Sequence, residues 1–475
     1  MNIDRAQRLL GIISEDFRVD ILCAPKTREQ IEASLRQHGV VAKRERPLRP
    51  LLVFWVVLAM CMHRNLSIPN VLAKLLAACP RWPAGESRRP VTDGAIAHAR
   101  LQVGAKPFRT FFEAVGADAA LSSEPFFHGM KVRALDGTHL TMPDTKVNEE
   151  RFLRHKASRG RSAWPQMRAV ALVDVASRKV LCANLGTIKQ GERELAVPLY
   201  AAVLPGEVVV DDRGFFRIEH LWQLNQRGVY FLSRIPKNTG LRKVQRIGKG
   251  DYVVELQGRR QLQPGEGMLR KSLRRGGPVK FRLKVRLIIS RIRGCDKPVM
   301  LVTNLLDPKI TARELAILYH ARWETELCFD ELKTHLATVT HGKSHTTFRG
   351  KSPELVEQEF WAMLAIYNLV RGRMADAAQH QGLDPRFLSF VDSLCILHDR
   401  LADIQKAPTS RLVQLARHLL AELAAATIDR PRRPRSCPRV VKVKMSNYRL
   451  RRADCTEIEL DIERDLLLIN KRLAS

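Results

Sequence analysis

Four polar residues of types that handle phosphodiesters recur at helical spacing in the second half of the chain. Tyr319, Arg322, Glu326 and Lys333 fall at roughly 0°, −60°, −20° and −40° around a helix that turns about 100° per residue. On one continuous helix, all four tips project from one narrow stripe. A carboxylate flanked by an aromatic hydroxyl, a guanidinium and an ammonium suits a metal ion beside a phosphodiester. The carboxylate holds the metal and the cations hold phosphates. The alternative is a solvated helix face with an Arg322–Glu326 ion pair at i, i+4. Asp330 falls on the same stripe, near 20°. Trp323 lies at about 40° and is expected to pack into the core.

Two aspartates elsewhere have matching chemistry. Asp136, in Asp136-Gly137-Thr138, ends an alternating stretch over 131–135. Asp211-Asp212 ends the short apolar run Val208-Val209-Val210. Strand-end carboxylates also serve as turn formers and caps, and physical chemistry alone does not separate Asp211 from Asp212.

Tyr-x-x-Arg-x-x-x-Glu followed by six residues and Lys is joined by other segments. They are Asp136-Gly137-Thr138, Asp212-Arg213-Gly214-Phe215, Gly191-Glu192-Arg193-Glu194-Leu195-Ala196 and Ser352-Pro353-Glu354-Leu355-Val356-Glu357-Gln358-Glu359. Together they resemble bacterial insertion-sequence transposases of the Asp-Asp-Glu class, in the family named after insertion element four. The resemblance runs from about Leu9 to about Arg452.

The resemblance implies an α/β fold with a ribonuclease H-like catalytic core. It makes Asp136, Asp212 and Glu326 the catalytic, metal-holding triad, with the Asp-Arg-Gly-Phe motif selecting Asp212. Three carboxylates at one point repel unless a dication joins them. Mg2+, replaceable by Mn2+, is the expected ion, with two ions per site. Tyr319, Arg322, Lys333 and Arg234 are expected to touch DNA. Lys333 lies roughly 10 Å along the axis from Glu326, a reach of one or two nucleotides. The implied partners are duplex DNA, as terminal inverted repeats and target, and a second copy of the chain in a synaptic homodimer. The implied reaction is cleavage at the element ends and joining of the 3′ ends to target DNA.

Two features depart from the family pattern. Many relatives carry a basic residue where Asp330 stands. Some place a tryptophan in the insertion to receive a flipped base, and residues 236–297 contain none. The competing function is a catalytically inactive or domesticated DNA-binding protein, which an intact triad disfavours. A hydrolytic nuclease without joining shares the same site.

Composition points the same way. The formal net charge is +31. A fold this basic repels itself unless it meets a polyanion, with nucleic acid the first candidate and anionic membrane the second. The longest apolar run, 51–62, is short of the ~20 residues that span a bilayer and is expected to be a buried helix. The N-terminus lacks a signal pattern. The nine cysteines are scattered without Cys-x-x-Cys. They are expected to be reduced thiols in a cytoplasmic protein without structural zinc.

A chain of 475 residues exceeds one core. The expected domains are 1–125, helical and used in DNA recognition; 126–385, catalytic, with a β-rich insertion at about 236–297; and 386–475, helical with a basic tail. Strands are expected over 131–135, 167–175, 179–185, 208–210, 229–232 and 299–303, and helices over 192–203 and 217–226. A single long helix over 311–336 is expected to carry the opening stripe. Thr311 and Glu314 have capping-box spacing at its start. Further helices are expected over 354–378 and 387–425. Basic clusters at Lys43-Arg44-Glu45-Arg46 and from Arg430 to Arg452 are candidate DNA contacts.

Overall fold

The computed structural model describes residues 27–40, 48–77, 91–157, 160–161, 164–260, 279–293, 298–336, 346–428, 435–436, 458–459 and 461–470. The cluster Lys43-Arg44-Glu45-Arg46 and nearly all of the basic stretch 430–452 lie outside these residues. The chain divides into two compact units. One comprises Met1–Glu124, Asp136–Ala202 and Glu324–Asp429. The other comprises Pro125–Leu135, Val203–Trp323 and Arg430–Ser475.

The first unit is mainly helical. Helices α1 (Thr27–Gln37), α2 (Pro50–Met62), α3 (Ile68–Ala77), α4 (Asp93–Val103) and α5 (Lys106–Leu121) come first in the chain. The run expected to be a buried helix is α2. It is apolar all round, and Leu52 through Cys61 are all buried, as a helix without a polar face requires. Shorter helices follow at α6 (Lys146–Phe152) and α7 (Glu192–Ala196). The helix expected over 192–203 ends at Ala196 and continues as a 3-10 turn, Val197–Ala202. Pro198 lacks the N–H that an α-helical continuation needs.

Strand β1 (Val132–Thr141) enters this unit from the other one. Here it is joined by β2 (Gln166–Asp174) and β3 (Val180–Thr187), in the order β3-β2-β1. Strands β2 and β3 are antiparallel. The buried Asp174 carboxylate closes their turn by accepting from the Ser177 amide and hydroxyl. Gly116 lets α5 lie directly on β3, since a Cβ there would collide with the Leu181 carbonyl.

The second unit holds α8 (Ile218–Gln226), α9 (Ala312–His320) and the other sheet strands. These are β4 (Val208–Asp211), β5 (Tyr230–Arg234), β6 (Arg242–Gly248), β7 (Asp251–Arg260), β8 (Val279–Ile292), β9 (Val299–Thr303) and β10 (Leu466–Leu468). Their order is β1-β4-β5-β9-β8-β7-β6, with β10 on β8. Strands β1, β4 and β5 are parallel, and the rest pair antiparallel. The first five strands thus run 3-2-1-4-5, the order of a ribonuclease H-like core. Strands β6 to β8 lie within residues 236–297, the segment expected to be β-rich.

The extreme C-terminal segment contributes to this sheet. Ile292 pairs with Leu466, the Ile469 amide donates to the Ile289 carbonyl, and Leu466 is buried. Removing residues 430–475 would therefore strip a strand as well as the basic stretch.

Back in the first unit, α10 (Trp323–Asp330) leads through a π-helical segment, Glu331–Leu336, towards α11 (Pro353–Gln381). Helix α11 ends at Gly382, whose left-handed backbone (φ 67°) forms the C-cap. It packs against α5, α2 and α13 (Leu412–Ala425), while α12 (Phe390–Lys406) packs against both α11 and α13. No helix among the described residues is long and apolar enough to cross a membrane.

A part-buried histidine pair couples the end of α2 to α12. His398 Nε2 and His63 Nδ1 are 2.6 Å apart, so one donates and the other must be neutral to accept. Burial, the facing His398 and Lys74 lower the His63 pKa to about 3. Burial and Lys74 lower that of His398, against the opposing attraction of Asp399 and a hydrogen bond with the Met62 backbone. The unfolded chain takes up these protons near pH 6.5 and the folded chain only well below. Stability is therefore present above that value and lost as pH falls. At pH 5, His63 alone is expected to cost about 2 kcal/mol. Thermal melts at pH 7 and pH 5 check this. A His63→Gln variant should show a smaller acid-induced drop, and an equal drop in both proteins would refute the assignment.

Candidate active site

Asp212 follows directly on β4, a fully buried strand of valines ending in Asp211. In the second unit, β1 and β4 pair in parallel through Leu135 and Asp211. Asp136 and Asp212 are the residues that follow those partners along the two strands. The two adjacent aspartates, inseparable in sequence, differ sharply in environment. Asp211 is 1% exposed, whereas the Asp212 side chain is 37% exposed.

The Tyr319 hydroxyl donates to Asp212 Oδ1 at 2.8 Å, and Arg234 Nη1 lies 3.5 Å from the same oxygen. Tyr319 comes from the last turn of α9, and Arg234 is the final residue of β5. Burial opposes the Asp212 charge. The Arg213 amide, the Tyr319 hydroxyl and the guanidiniums of Arg322 and Arg234 outweigh it and hold the carboxyl below the usual range. Burial first, then the Asp212 charge, push the Tyr319 phenol up, so it stays a hydrogen-bond donor at neutral pH. Tyr319 is only 7% exposed, and its hydroxyl is directed to the carboxylate.

In the first unit, Asp136 lies mid-strand. The expected strand end is corrected here, because β1 continues through Thr141. Alternation persists past Asp136, with Thr138 and Leu140 buried. Asp136 Oδ1 accepts from the Gly137 amide at 2.8 Å. Lys333 Nζ donates to Thr138 Oγ1 at 2.9 Å. Burial lowers the Lys333 pKa, against the opposing attraction of Asp330 and Asp136. Asp330 itself accepts from Thr334 Oγ1.

The single long helix is also corrected. The expected capping box at Thr311 and Glu314 is present, but α9 ends at His320. The Ala321 and Arg322 amides turn back to Leu318 and Tyr319, i→i−3 bonds that tighten the helix and end it. Helix α10 starts at Trp323, and Lys333 sits in the π-helical segment. A uniform 100° step no longer relates the four motif residues. Tyr319 and Arg322 belong to one unit, and Glu326 and Lys333 to the other. Trp323, expected in the core, is 48% exposed and lies under the Arg322 guanidinium at 5.9 Å.

The orientation of α10 rests on a network that sequence reasoning missed. Buried Arg178, with left-handed φ of 60°, donates to Glu324 and, at 3.0 Å, to Glu331. Arg371 and Tyr367 of α11 also donate to Glu331. Burial works against the Glu331 charge, and Arg371 and Arg178 hold its pKa down regardless. These bonds tie Glu324 and Glu331 into the packing of α10, and Glu326 is half-buried in the first turn of the same helix. Among the described residues, no three His, Cys, Asp or Glu side chains converge as a metal-holding group.

A transposase DDE domain matches residues 127–369, and an insertion element 4 transposase N-terminal domain matches residues 19–113. The chain is 30% identical over 427 residues to the transposase InsG for insertion sequence element IS4 of Escherichia coli K12, covering 88% of this chain and 91% of that one. It is 28% identical to the putative transposase InsZ of the same organism, over 41% of this chain and 63% of that one. A piggyBac transposase synaptic complex with hairpin DNA aligns over 91% of this chain and 87% of that one, with a TM-score of 0.38 and 11% identity. That likeness is too distant to carry an argument. The ribonuclease H-like core and the domain matches define a DDE transposase, an enzyme of DNA transposition. The chain belongs to the insertion element 4 family of these enzymes, whose members generally use divalent metal.

Proposed function

We propose that this transposase binds the terminal inverted repeats of its own element as a homodimer, hydrolyses the phosphodiesters at the ends, and joins the 3′ ends to target duplex DNA. The reaction is assigned to the bacterial cytoplasm, at the nucleoid. The observation that carries the reading is Asp212. It is a solvent-reaching carboxylate kept ionised by a tyrosine hydroxyl and two guanidiniums at the end of a buried central strand.

Asp136, Asp212 and Glu326 are assigned as metal ligands. All offer hard carboxylate oxygens, and Asp212 is held anionic, which fits Mg2+ rather than a softer ion. Two bound ions would supply Lewis-acid stabilisation of the reacting oxygens. The chain's own groups do the positioning. Tyr319 orients Asp212 through its hydroxyl. Arg234 and Arg322 bring positive charge to the same carboxylate, where a phosphate would lie. Lys333, anchored on Thr138, offers an ammonium on the strand that carries Asp136. Residues 1–125 are assigned to end recognition and 386–475 to supporting DNA contacts.

A labelled terminal-repeat duplex incubated with Mg2+ and a target plasmid tests this reading. Nicked ends without joined product would make the chain a hydrolytic nuclease. Binding without cleavage would make it an inactive DNA-binding protein.

Arg322→Ala and Lys333→Ala are expected to slow joining more than the first nick. The nick needs mainly metal and water, whereas joining needs a strand held in line. Time courses resolving nicked and joined products check this, and equal losses of both would reduce the two residues to a general binding surface.

A further inference from the structure

Ser352 to Glu359, a segment that carries part of the family resemblance, is not among the residues assigned to catalysis or DNA contact. It begins α11, and its polar side chains converge on the turn between α4 and α5, within the first unit. Glu354 Oε1 accepts from the Ala105 amide at 2.6 Å. Gly104, the C-cap of α4, has a positive φ of 74°, and a Cβ there would lie 3.1 Å from the same oxygen. Gln358 is fully buried. Its Nε2 donates to the carbonyls of Arg100 and Gly104 at 3.1 and 3.0 Å, and its Oε1 accepts from Arg100 Nε at 2.8 Å. Glu359 Oε1 accepts from Arg100 Nη2 at 2.9 Å, and both side chains are buried. Residues four apart share a helix face, so Glu354 and Gln358 reach the turn together.

The same helix is fastened again further along. Asn368 clasps the Val180 amide and carbonyl of β3, at 2.7 Å each. Tyr367 and Arg371 donate to Glu331 at 2.8 and 2.9 Å, directly after α10, which carries Glu326. Helix α11 is continuous from Pro353 to Gln381, so Gln358 and Arg371 are roughly 20 Å apart along one stiff rod. One end of the rod is bolted to the α4–α5 turn, and its middle is bolted to the end of α10. The distance from that turn to Glu326 is thereby fixed.

We infer that Glu354, Gln358 and Glu359 are positioning residues that latch α11 to the α4–α5 turn and so set where the donor end is cut. The inference rests on the assignment of residues 1–125 to end recognition. Helices that hold the terminal repeat then stand at a fixed distance from Glu326, and that distance selects one phosphodiester. In the proposed homodimer both copies repeat the same spacing, so the registry holds whichever copy makes the cut. A contact that served stability alone would change rates and melting, but not the position of the cut.

The experiment uses the full chain, Mg2+ and a terminal-repeat duplex labelled at one end, with products resolved to the nucleotide. Glu354→Ala and Gln358→Ala are expected to bind the repeat as the wild type does and to spread the cut over neighbouring phosphodiesters. Cleavage at the normal position should fall by up to about 10²-fold, the cost of a misplacement of about 1 Å. Glu354 is exposed, so Glu354→Ala keeps the core intact and decides the matter if Gln358→Ala fails to fold. Glu357→Ala is the control. Glu357 accepts from Arg151 at 3.1 Å instead, and its variant should keep a single cut. A single cut position in Glu354→Ala and in folded Gln358→Ala, or an equal spread in Glu357→Ala, would overturn the latch alone. A wild-type chain that binds the repeat no better than a random duplex would overturn the recognition reading, and the latch with it.

Discussion

Asp212→Asn is expected to abolish cleavage of a terminal-repeat duplex while leaving binding to that duplex intact. The substitution keeps the shape of the side chain and removes its charge. The wild-type carboxylate is held ionised against its own burial by the Arg213 amide, the Tyr319 hydroxyl, Arg322 and Arg234. An amide there can still accept from Tyr319, so the local fold should survive. A metal-bound site supplies several kcal/mol of transition-state stabilisation. Losing about 4 kcal/mol slows a reaction roughly 10³-fold. Asp136→Asn and Glu326→Gln should have similar effects. Asp211→Asn tests the alternative, since Asp211 is buried and should affect folding before chemistry. Near-wild-type cleavage by Asp212→Asn would remove it from the catalytic triad.

Arg178→Ala is expected to be among the most destabilising single changes outside the apolar core. It leaves Glu324 without a buried charged donor that it now has, and takes one of two arginines from Glu331. Breaking a buried ion pair costs about 3–5 kcal/mol. The lower end applies here because Arg371 and Tyr367 still hold Glu331. In a large domain this is a fall of roughly 10 °C in melting temperature. Cleavage should fall as well, since Glu326 rides on the helix that Glu324 and Glu331 tie down. Arg178→Gly separates two contributions. It loses the same ion pairs but removes the penalty of a left-handed non-glycine residue, about 1–2 kcal/mol, so it should melt above Arg178→Ala. A melting temperature unchanged within 1 °C in Arg178→Ala would show that the network does not support α10.

What the sequence by itself determined is the chemistry and the local order. The spacing of Tyr319, Arg322, Glu326 and Lys333, with the Asp-Gly-Thr and Asp-Arg-Gly-Phe segments, identified the family. Local signals found the α2 helix, apolar on every side, the Thr311 capping box and the strands β2, β3, β4 and β9, because burial and hydrogen bonding within a few residues decide such elements. Tertiary structure decided the rest. Asp211 is buried, whereas Asp212 is partly exposed and accepts from a tyrosine 107 residues away, and Glu324 is held by an arginine 146 residues away. No local rule encodes partners at such separations. The expected straight stripe fails for the same reason. Helical periodicity assumes an unbroken ladder of backbone hydrogen bonds, and the turn at Ala321 and Arg322 and the π-helical segment at Lys333 break that ladder where buried contacts on α9 and on α10 hold each in its own unit.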